Sequence, residues 1–350
     1  MDVIQFNSMN QYQRIVLKQI KMKTVAFKKK SRNVFFHILT KCNLSCLHCY
    51  INPKQHGTNT LSIDTISLWL KQLYKDNTNL ILLGGEPTLR PDLSDIISIA
   101  KEIGYFSITV DTNGYLFNDF LTRVSRHELD FISFSLDGST PDLNDFFRGN
   151  KSFEKCISGI KSAVSKGFKT SLIYTVSKKN IHDLHNIPDL IKTLGINRFF
   201  IQVIGIRGKS AMQNRFTLQL SMEQWKDTVP EVAMKIAKMG ITVTYPRVYL
   251  NLDEDFECSG NTSDNYFVFP NGRVYRCPLC EDYPINSLEF KNNILVNTPK
   301  INENDLFSLK IPEGCVMNRL VQPGNIEYGQ DGLPEYKIAC CLLKEEIEAI

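Results

Sequence analysis

Val34-Phe35-Phe36-His37-Ile38-Leu39, followed by Cys42-Asn43-Leu44-Ser45-Cys46-Leu47-His48-Cys49-Tyr50, sets three thiols in the loop that leaves an apolar run. The run reads as a buried strand, so the thiols sit at its C-terminal end. Their spacing, Cys-x3-Cys-x2-Cys, is tight enough to wrap one metal centre. Soft thiolates select zinc, copper(I) or an iron–sulfur cluster. Three of them leave a closed zinc site or an ordinary cubane one ligand short. Either a zinc knuckle recruits a fourth ligand from elsewhere, or the metal keeps an open position for a substrate or cofactor.

Outward from this stretch, strands and helices alternate. Further apolar runs at 80–83, 106–110, 131–136, 170–176 and 199–204 read as strands. Between them, apolar residues recur at helical spacing, as in Ile66, Trp69, Leu70 and Leu73. Helices are predicted there, over 93–103, from about 118, and over 153–166, 184–194 and 221–239. One more is possible at 13–21. The strands, nearly all continuous rather than alternating, imply an α/β fold with a parallel sheet covered by helices. The candidate residues follow strands, where α/β proteins place their sites.

Near 241 the pattern breaks, and we set a boundary at 245. Residues 1–30 are then a polar lead-in, 31–245 the α/β core and 246–350 a cysteine-rich extension. The extension holds Cys258, Cys277, Cys280, Cys315, Cys340 and Cys341, and a hairpin turning at Pro270-Asn271-Gly272. Cys156, mid-helix on an apolar face, reads as a core residue.

The chain has 350 residues, 43% of them hydrophobic and 22% charged, which suits a globular protein with a sizeable core. A net charge of +4 does not argue for nucleic acid. Lys28-Lys29-Lys30 and Arg32 lack interleaved aromatics and read as a solvated lead-in. The N-terminus has no apolar signal core, and no stretch reaches the length of a membrane span. These features predict a cytoplasmic protein with no membrane partner, in which ten cysteines are metal ligands rather than disulfides. No Ser/His/Asp order, phosphate-binding Gly-Lys-Ser/Thr loop or His-rich motif competes.

The cysteine loop, with Gly84-Gly85-Glu86-Pro87 one β/α unit later, resembles the radical S-adenosylmethionine (radical SAM) superfamily. Its signature is Cys-x3-Cys-x-aromatic-Cys, and His48 stands at the aromatic position. The resemblance implies a partial (β/α)6 TIM-like barrel and a [4Fe–4S] cluster held by Cys42, Cys46 and Cys49. The open iron chelates SAM, and an electron donor such as flavodoxin or ferredoxin starts its cleavage. Gly84, Gly85 and Glu86 then bind the methionyl amino group, and His48 stacks on adenine. Ser135-Leu136-Asp137-Gly138 ahead of Asn144-Asp145-Phe146-Phe147-Arg148-Gly149 looks like the anaerobic sulfatase-maturase branch. By position, Ser135 and Arg148 take up SAM; otherwise they are a helix cap and a surface arginine. Val203, with Thr175, walls the adenine site.

Cys258-x13-Gly272-x4-Cys277 resembles the start of the SPASM/twitch pattern, which implies an auxiliary cluster. Too few thiols follow for two complete four-thiolate sites, so one auxiliary [4Fe–4S] cluster is expected. Cys258 and Cys277 are ligands, joined by two of Cys280, Cys315, Cys340 and Cys341. A closed zinc site is the alternative. The hairpin is expected to fold over the mouth of the barrel. The implied activity is a radical SAM oxidoreductase acting oxidatively on a peptide or protein side chain. A sugar or nucleotide dehydrogenase or rearrangement enzyme is the second reading, and a zinc-binding non-enzyme the third. No catalytic acid or base is nominated; Asp253, Glu254, Asp255, Glu257, Glu281 and Asp282 read as mostly solvent-facing.

Overall fold

The apolar runs become a row of parallel strands whose inner faces share one cavity. A computed structural model describes residues 20–25, 32–117, 119–212, 218–321 and 323–349. The strands of the first part are β1 (Ile20–Val25), β2 (Arg32–His37), β3 (Thr78–Leu83), β4 (Ser107–Thr112), β5 (Phe131–Ser135), β6 (Thr170–Val176), β7 (Arg198–Val203) and β8 (Thr242–Pro246). Beyond them lie β9 (Tyr249–Leu250), β10 (Asp264–Val268), β11 (Arg273–Tyr275), β12 (Leu288–Lys291), β13 (Ile294–Asn297), β14 (Lys337–Ile338) and β15 (Lys344–Ala349).

The large sheet runs β1-β15-β8-β7-β6-β5-β4-β3-β2-β10-β11-β12-β13, and β14 pairs with β9 apart from it. From β10 through β2 to β8 every neighbouring pair is parallel. The sequence predicts only β2 to β7 of this row. β8 reads Thr-Val-Thr-Tyr-Pro, too polar to stand out as a buried run. β10 is foreseen as a hairpin strand, and it does pair antiparallel with β11, but it also joins β2. Because β15 returns to β8, the sheet is continuous across residue 245.

Helices cross between the strands as α1 (Ile63–Leu73), α2 (Leu93–Ile103), α3 (Pro141–Arg148), α4 (Ser152–Ser165), α5 (Ile187–Lys192) and α6 (Met222–Ala237). α1 starts where the Ser62 side chain accepts from the Thr65 amide, and buries Ile66, Trp69, Leu70 and Leu73. α6 opens with a reciprocal Ser221/Gln224 capping box. The helix expected over 184–194 is broken into a 3-10 turn, His182–His185, and α5. Pro188 has no amide hydrogen to extend a ladder, but it fits a fresh first turn. The helix expected at 13–21 is not helical at its end, where Ile20 and Lys21 belong to β1; residues 13–19 lie outside the described set. From about 118, only a single turn forms, Phe120–Arg123.

A second core lies apart from the core of the parallel sheet and collects Phe267, Phe269, Tyr275, Leu279, Phe307 and Met317 around buried thiols. The β12–β13 hairpin leans on α1, with Phe290 stacked on Trp69 at 4.0 Å. Burying one such ring contributes roughly 2–3 kcal/mol. Among the described residues no helix is long and apolar enough to cross a membrane.

Candidate active site

The C-terminal ends of the parallel strands open into a cavity of about 360 Å³. Cys42, Cys46 and Cys49 all line it, Cys42 exposed and the other two half-buried. Their loop is pinned by backbone bonds from distant elements. The Leu47 amide donates to the Phe147 carbonyl (2.7 Å), and the Lys209 amide to that of Cys49 (2.8 Å). The Leu44 amide points at Cys42 Sγ (3.4 Å). Burial pushes the Cys42 thiol up to about 11, and Glu86, Cys46 and Cys49 add to the rise. Thiols so placed give up their protons only to a cationic metal centre. Three soft donors on the wall of an open cavity fit a cluster that keeps one iron free for a ligand.

Gly84, Gly85 and Glu86 follow β3 and line the same cavity. A side-chain carbon at Gly85 would lie 2.2 Å from the Lys41 carbonyl oxygen, and one at Gly84 2.6 Å from that of Leu39. The Gly85 and Glu86 amides donate to Leu39 (2.9 Å) and Lys41 (3.0 Å). These glycines let the turn pack against the chain entering the cysteine loop, and the Gly85 amide is engaged there. Glu86 is 1% exposed. Its Oε1 accepts from the Thr88 amide and hydroxyl and from Thr112, and its Oε2 from the Asn113 amide at 2.7 Å. No basic side chain among the described residues forms an ion pair with it. Burial raises its pKa. A buried carboxylate with hydrogen bonds and no counter-ion suits an ammonium ligand.

Ser135, Arg148, His48 and Val203 also line the cavity. Behind them sits a group the sequence reading quoted without selecting, Asp137, which is fully buried. Arg148 Nε lies 2.6 Å and His48 Nε2 3.2 Å from Asp137 Oδ2. The Thr175 amide donates to its Oδ1 at 2.9 Å. Burial alone would raise this carboxyl, yet Arg148 and His48 hold it well below the usual range. Asp137 thus fixes a basic side chain, an imidazole and β6 together. The His48 ring is also edge-on to Phe147 (5.7 Å), and its Nδ1 is buried without a partner among the described residues.

The C-terminal thiols gather in the second core. Cys277, Cys280, Cys315 and Cys340 are buried, and Cys258 and Cys341 are half-buried. Cys258, Cys277, Cys315, Cys340 and Cys341 surround a void of about 20 Å³. Cys280 packs against Cys277, with which it shares a thiol hydrogen bond. Burial and mutual repulsion raise Cys258, to about 12, and Cys315. Cys341 also lines the main cavity, so one residue borders both spaces. Cys156 is 1% exposed in the core of the parallel sheet, as expected.

The hairpin does not cover the mouth. Its tip packs sideways, Asn271 donating to the Gln55 carbonyl (2.6 Å), while Pro278, Leu279, Glu281, Asn318 and Cys341 line the cavity instead. Glu281 departs from the expectation of a solvent-facing carboxylate. It is 2% exposed and bonded to Arg207 Nη1 at 3.0 Å. Burial raises its pKa to about 8, which Arg207 partly offsets. Arg207 also lies 4.7 Å over the Tyr50 ring and donates to the Pro278 carbonyl. It therefore ties Tyr50, next to Cys49, to Glu281, next to Cys280.

Beside this tie runs a stack of His37, Phe269 and His56, with ring centroids 4.2 and 4.1 Å apart. His37 Nδ1 meets the Val268 carbonyl, so it carries the proton, and Nε2 accepts from the Tyr50 hydroxyl at 2.7 Å. His56 has the opposite tautomer: Nε2 donates to the Glu281 carbonyl and Nδ1 accepts from the Asn52 amide. Neither Asp137 nor Arg207 stands in a metal-ligand spacing. The only sequence signal was position, one or more residues past a strand end.

A family model described as the radical SAM superfamily matches residues 36–191. Fe-coproporphyrin III synthase of Methanosarcina barkeri is 30% identical over 239 residues, which are 67% of this chain and 58% of that protein. A probable GTP 3′,8-cyclase of Saccharolobus solfataricus is 32% identical over 262 residues, 71% of this chain and 83% of the relative. Among solved structures, Streptococcus suis SuiB bound to precursor peptide SuiA aligns with a TM-score of 0.58 at 16% identity, covering 72% of this chain and 60% of that one. Native anSMEcpe with bound AdoMet aligns with a TM-score of 0.59 at 14% identity, covering 83% and 88%. These structural likenesses speak to the fold, an α/β sheet close to radical SAM TIM-like barrels.

Proposed function

The chain belongs to the radical SAM superfamily, and from that premise we propose an enzyme that oxidises a peptide or protein side chain. Enzymes of this superfamily use a [4Fe–4S] cluster and SAM. Cys42, Cys46 and Cys49 would hold the cluster; Glu86, Ser135 and Arg148 would seat SAM, with His48 and Val203 beside its adenine. When bound, cluster and SAM supply a 5′-deoxyadenosyl radical that removes a hydrogen atom from the substrate. Glu86 is prepared for an ammonium by its burial, by the lack of an ion-pair partner among the described residues and by an Oε2 that accepts only the Asn113 amide. Arg148, oriented through Nε by Asp137, suits a carboxylate.

One observation carries the oxidative reading: Cys341 lines both the main cavity and the void among the C-terminal thiols. Oxidation leaves an electron to be removed after hydrogen abstraction; Cys258, Cys277 and two of Cys280, Cys315, Cys340 and Cys341 would hold a redox group, which would supply that electron sink. We treat residues 246–350 as the module that carries this site. SuiB's precursor peptide motivates the peptide class, and the probable GTP 3′,8-cyclase, which aligns over most of its length, the second reading of a small-molecule enzyme.

The test is anaerobic reconstitution followed by reduction, SAM and a pool of peptides. Expected are about eight irons per chain, release of 5′-deoxyadenosine, and a SAM-dependent loss of two hydrogens from a peptide. Cys277→Ala should keep some 5′-deoxyadenosine release and lose the dehydrogenated product. Normal product from that variant would remove the second site from the chemistry. Zinc in place of about four irons would make it structural.

A further inference from the structure

The cavity lining also carries polar groups that neither the proposed SAM contacts nor the thiol sets employ. Lys344, at the start of β15, lines the cavity beside Pro246, with which it is in register across β8. Among the described residues no carboxylate lies within ion-pair distance of its ammonium. Burial lowers its pKa, although Cys341, Asp111 and Glu346 pull the other way. Lys344 is half-buried, so its ammonium stays partly hydrated and open to a ligand anion on the cavity side.

Asn318 stands on the same wall and is 3% exposed. Its Nδ2 donates to the Ala339 carbonyl at 2.6 Å, which fixes the orientation of the amide. Its Oδ1 is then a buried acceptor with no partner among the described residues. Such an atom costs roughly 1–3 kcal/mol until a donor reaches it. Asp111 is a second acceptor on the lining, from the inner face of β4, with Ser133 as its hydrogen-bonding neighbour.

The chamber therefore lacks one anion at Lys344 and hydrogen-bond donors at Asn318 and Asp111. On the assumption that this cavity is the substrate chamber of the proposed enzyme, we propose that it takes a peptide through a carboxylate on Lys344, with neighbouring N–H groups donating to Asn318 Oδ1 and Asp111. The charge balance favours a monoanion over a polyphosphate. Arg207 is paired with Glu281 and Arg148 with Asp137, which leaves Lys344 as the cation on the lining with no ion-pair partner among the described residues; Cys341 and Asp111 offset part of its charge, which favours one anionic group over several. The carboxylate comes either from an acidic side chain or from a peptide C-terminus.

The test uses SAM-saturated, anaerobically reconstituted holoprotein in equilibrium dialysis against defined probes. These are acetyl-Ala-Ala-Ala with a free C-terminus, its C-terminal amide, acetyl-Ala-Asp-Ala amide, and GTP. One or both acid-bearing peptides should bind about tenfold tighter than the neutral amide, the usual worth of a desolvated ion pair. Binding of only the free acid assigns the C-terminus, and of only the aspartyl amide the side chain. The preference should shrink to about twofold or less in Lys344→Met and Lys344→Gln, both checked for iron and SAM binding. Equal binding of all peptides, no acid peptide bound at millimolar concentration, tighter binding of GTP, or a preference that survives both variants would overturn it. 5′-Deoxyadenosine release measured on the same samples separates a failed enzyme assignment from a failed substrate class.

Discussion

The two cysteine regions differ in how they are built. Cys42, Cys46 and Cys49 come from one loop, partly exposed, on the wall of a cavity of about 360 Å³. The C-terminal thiols arrive from four stretches of chain into a core around a void of about 20 Å³. An open loop leaves a coordination position for a ligand; a closed core does not. The difference assigns ligand chemistry to the first region. It leaves the second electron transfer or structural support.

The largest expected effect separates the regions outright. The triple change Cys42→Ala/Cys46→Ala/Cys49→Ala should abolish 5′-deoxyadenosine release and remove about four irons, with the protein still soluble. The partner change Cys277→Ala should remove a similar amount of iron and also destabilise, because its thiol sits inside an apolar core. Iron analysis and thermal melting read both. If either variant loses all its iron, the regions form one cooperative unit and the contrast fails.

Next in size is the tie between the regions. At a pH above the Glu281 pKa of about 8, Arg207→Met leaves that carboxylate buried and unpaired, which costs about 3 kcal/mol. Adding Glu281→Gln should restore much of the lost stability, since both charges are then gone. A double-mutant cycle by denaturation checks this, and additive losses would show that the pair is not coupled.

The legibility of the molecule follows the same contrast. A site made from one loop is legible because ligand spacing is local in sequence, and the parallel strands because burial on both sides demands continuous apolar runs. β8 escaped because Thr242, Thr244 and Pro246 interrupt its apolar residues, so no continuous run marks it as a buried strand. Asp137, Arg207, Lys344 and Asn318 escaped for a related reason. Each acts through a partner distant in sequence, so no spacing announces it. Glu281 was misjudged because its neighbours, Asp282 among them, look solvated, whereas its burial depends on Arg207 arriving from the loop after β7.

The smallest expected effect concerns the histidine stack beside that tie. Burial lowers His37 to about 3 and His56 to about 4, so both are neutral in the folded protein. Asp282 partly supports a charge on His56, while Arg207 and Arg273 oppose it; His37 is opposed by His56 and Arg207. The unfolded chain takes up protons at both rings below the ordinary value of 6.5, and the folded chain does not. Unfolding thus binds more protons there, so the stability due to these rings is full above 6.5 and falls as pH drops toward about 4. Each ring should lose roughly 2 kcal/mol by about pH 5. His56→Phe keeps a ring against Phe269 but cannot titrate. Its holoprotein should melt lower than wild type at about pH 8, having lost the bonds to Glu281 and Asn52. As pH falls, the gap should narrow, because the wild type pays a protonation cost that the variant lacks. Measuring both melts side by side cancels the acid sensitivity of the metal sites. A gap that stays constant with pH would mean His56 is hydrated in the folded state, and the join between the two cysteine regions looser than its stacking distances imply.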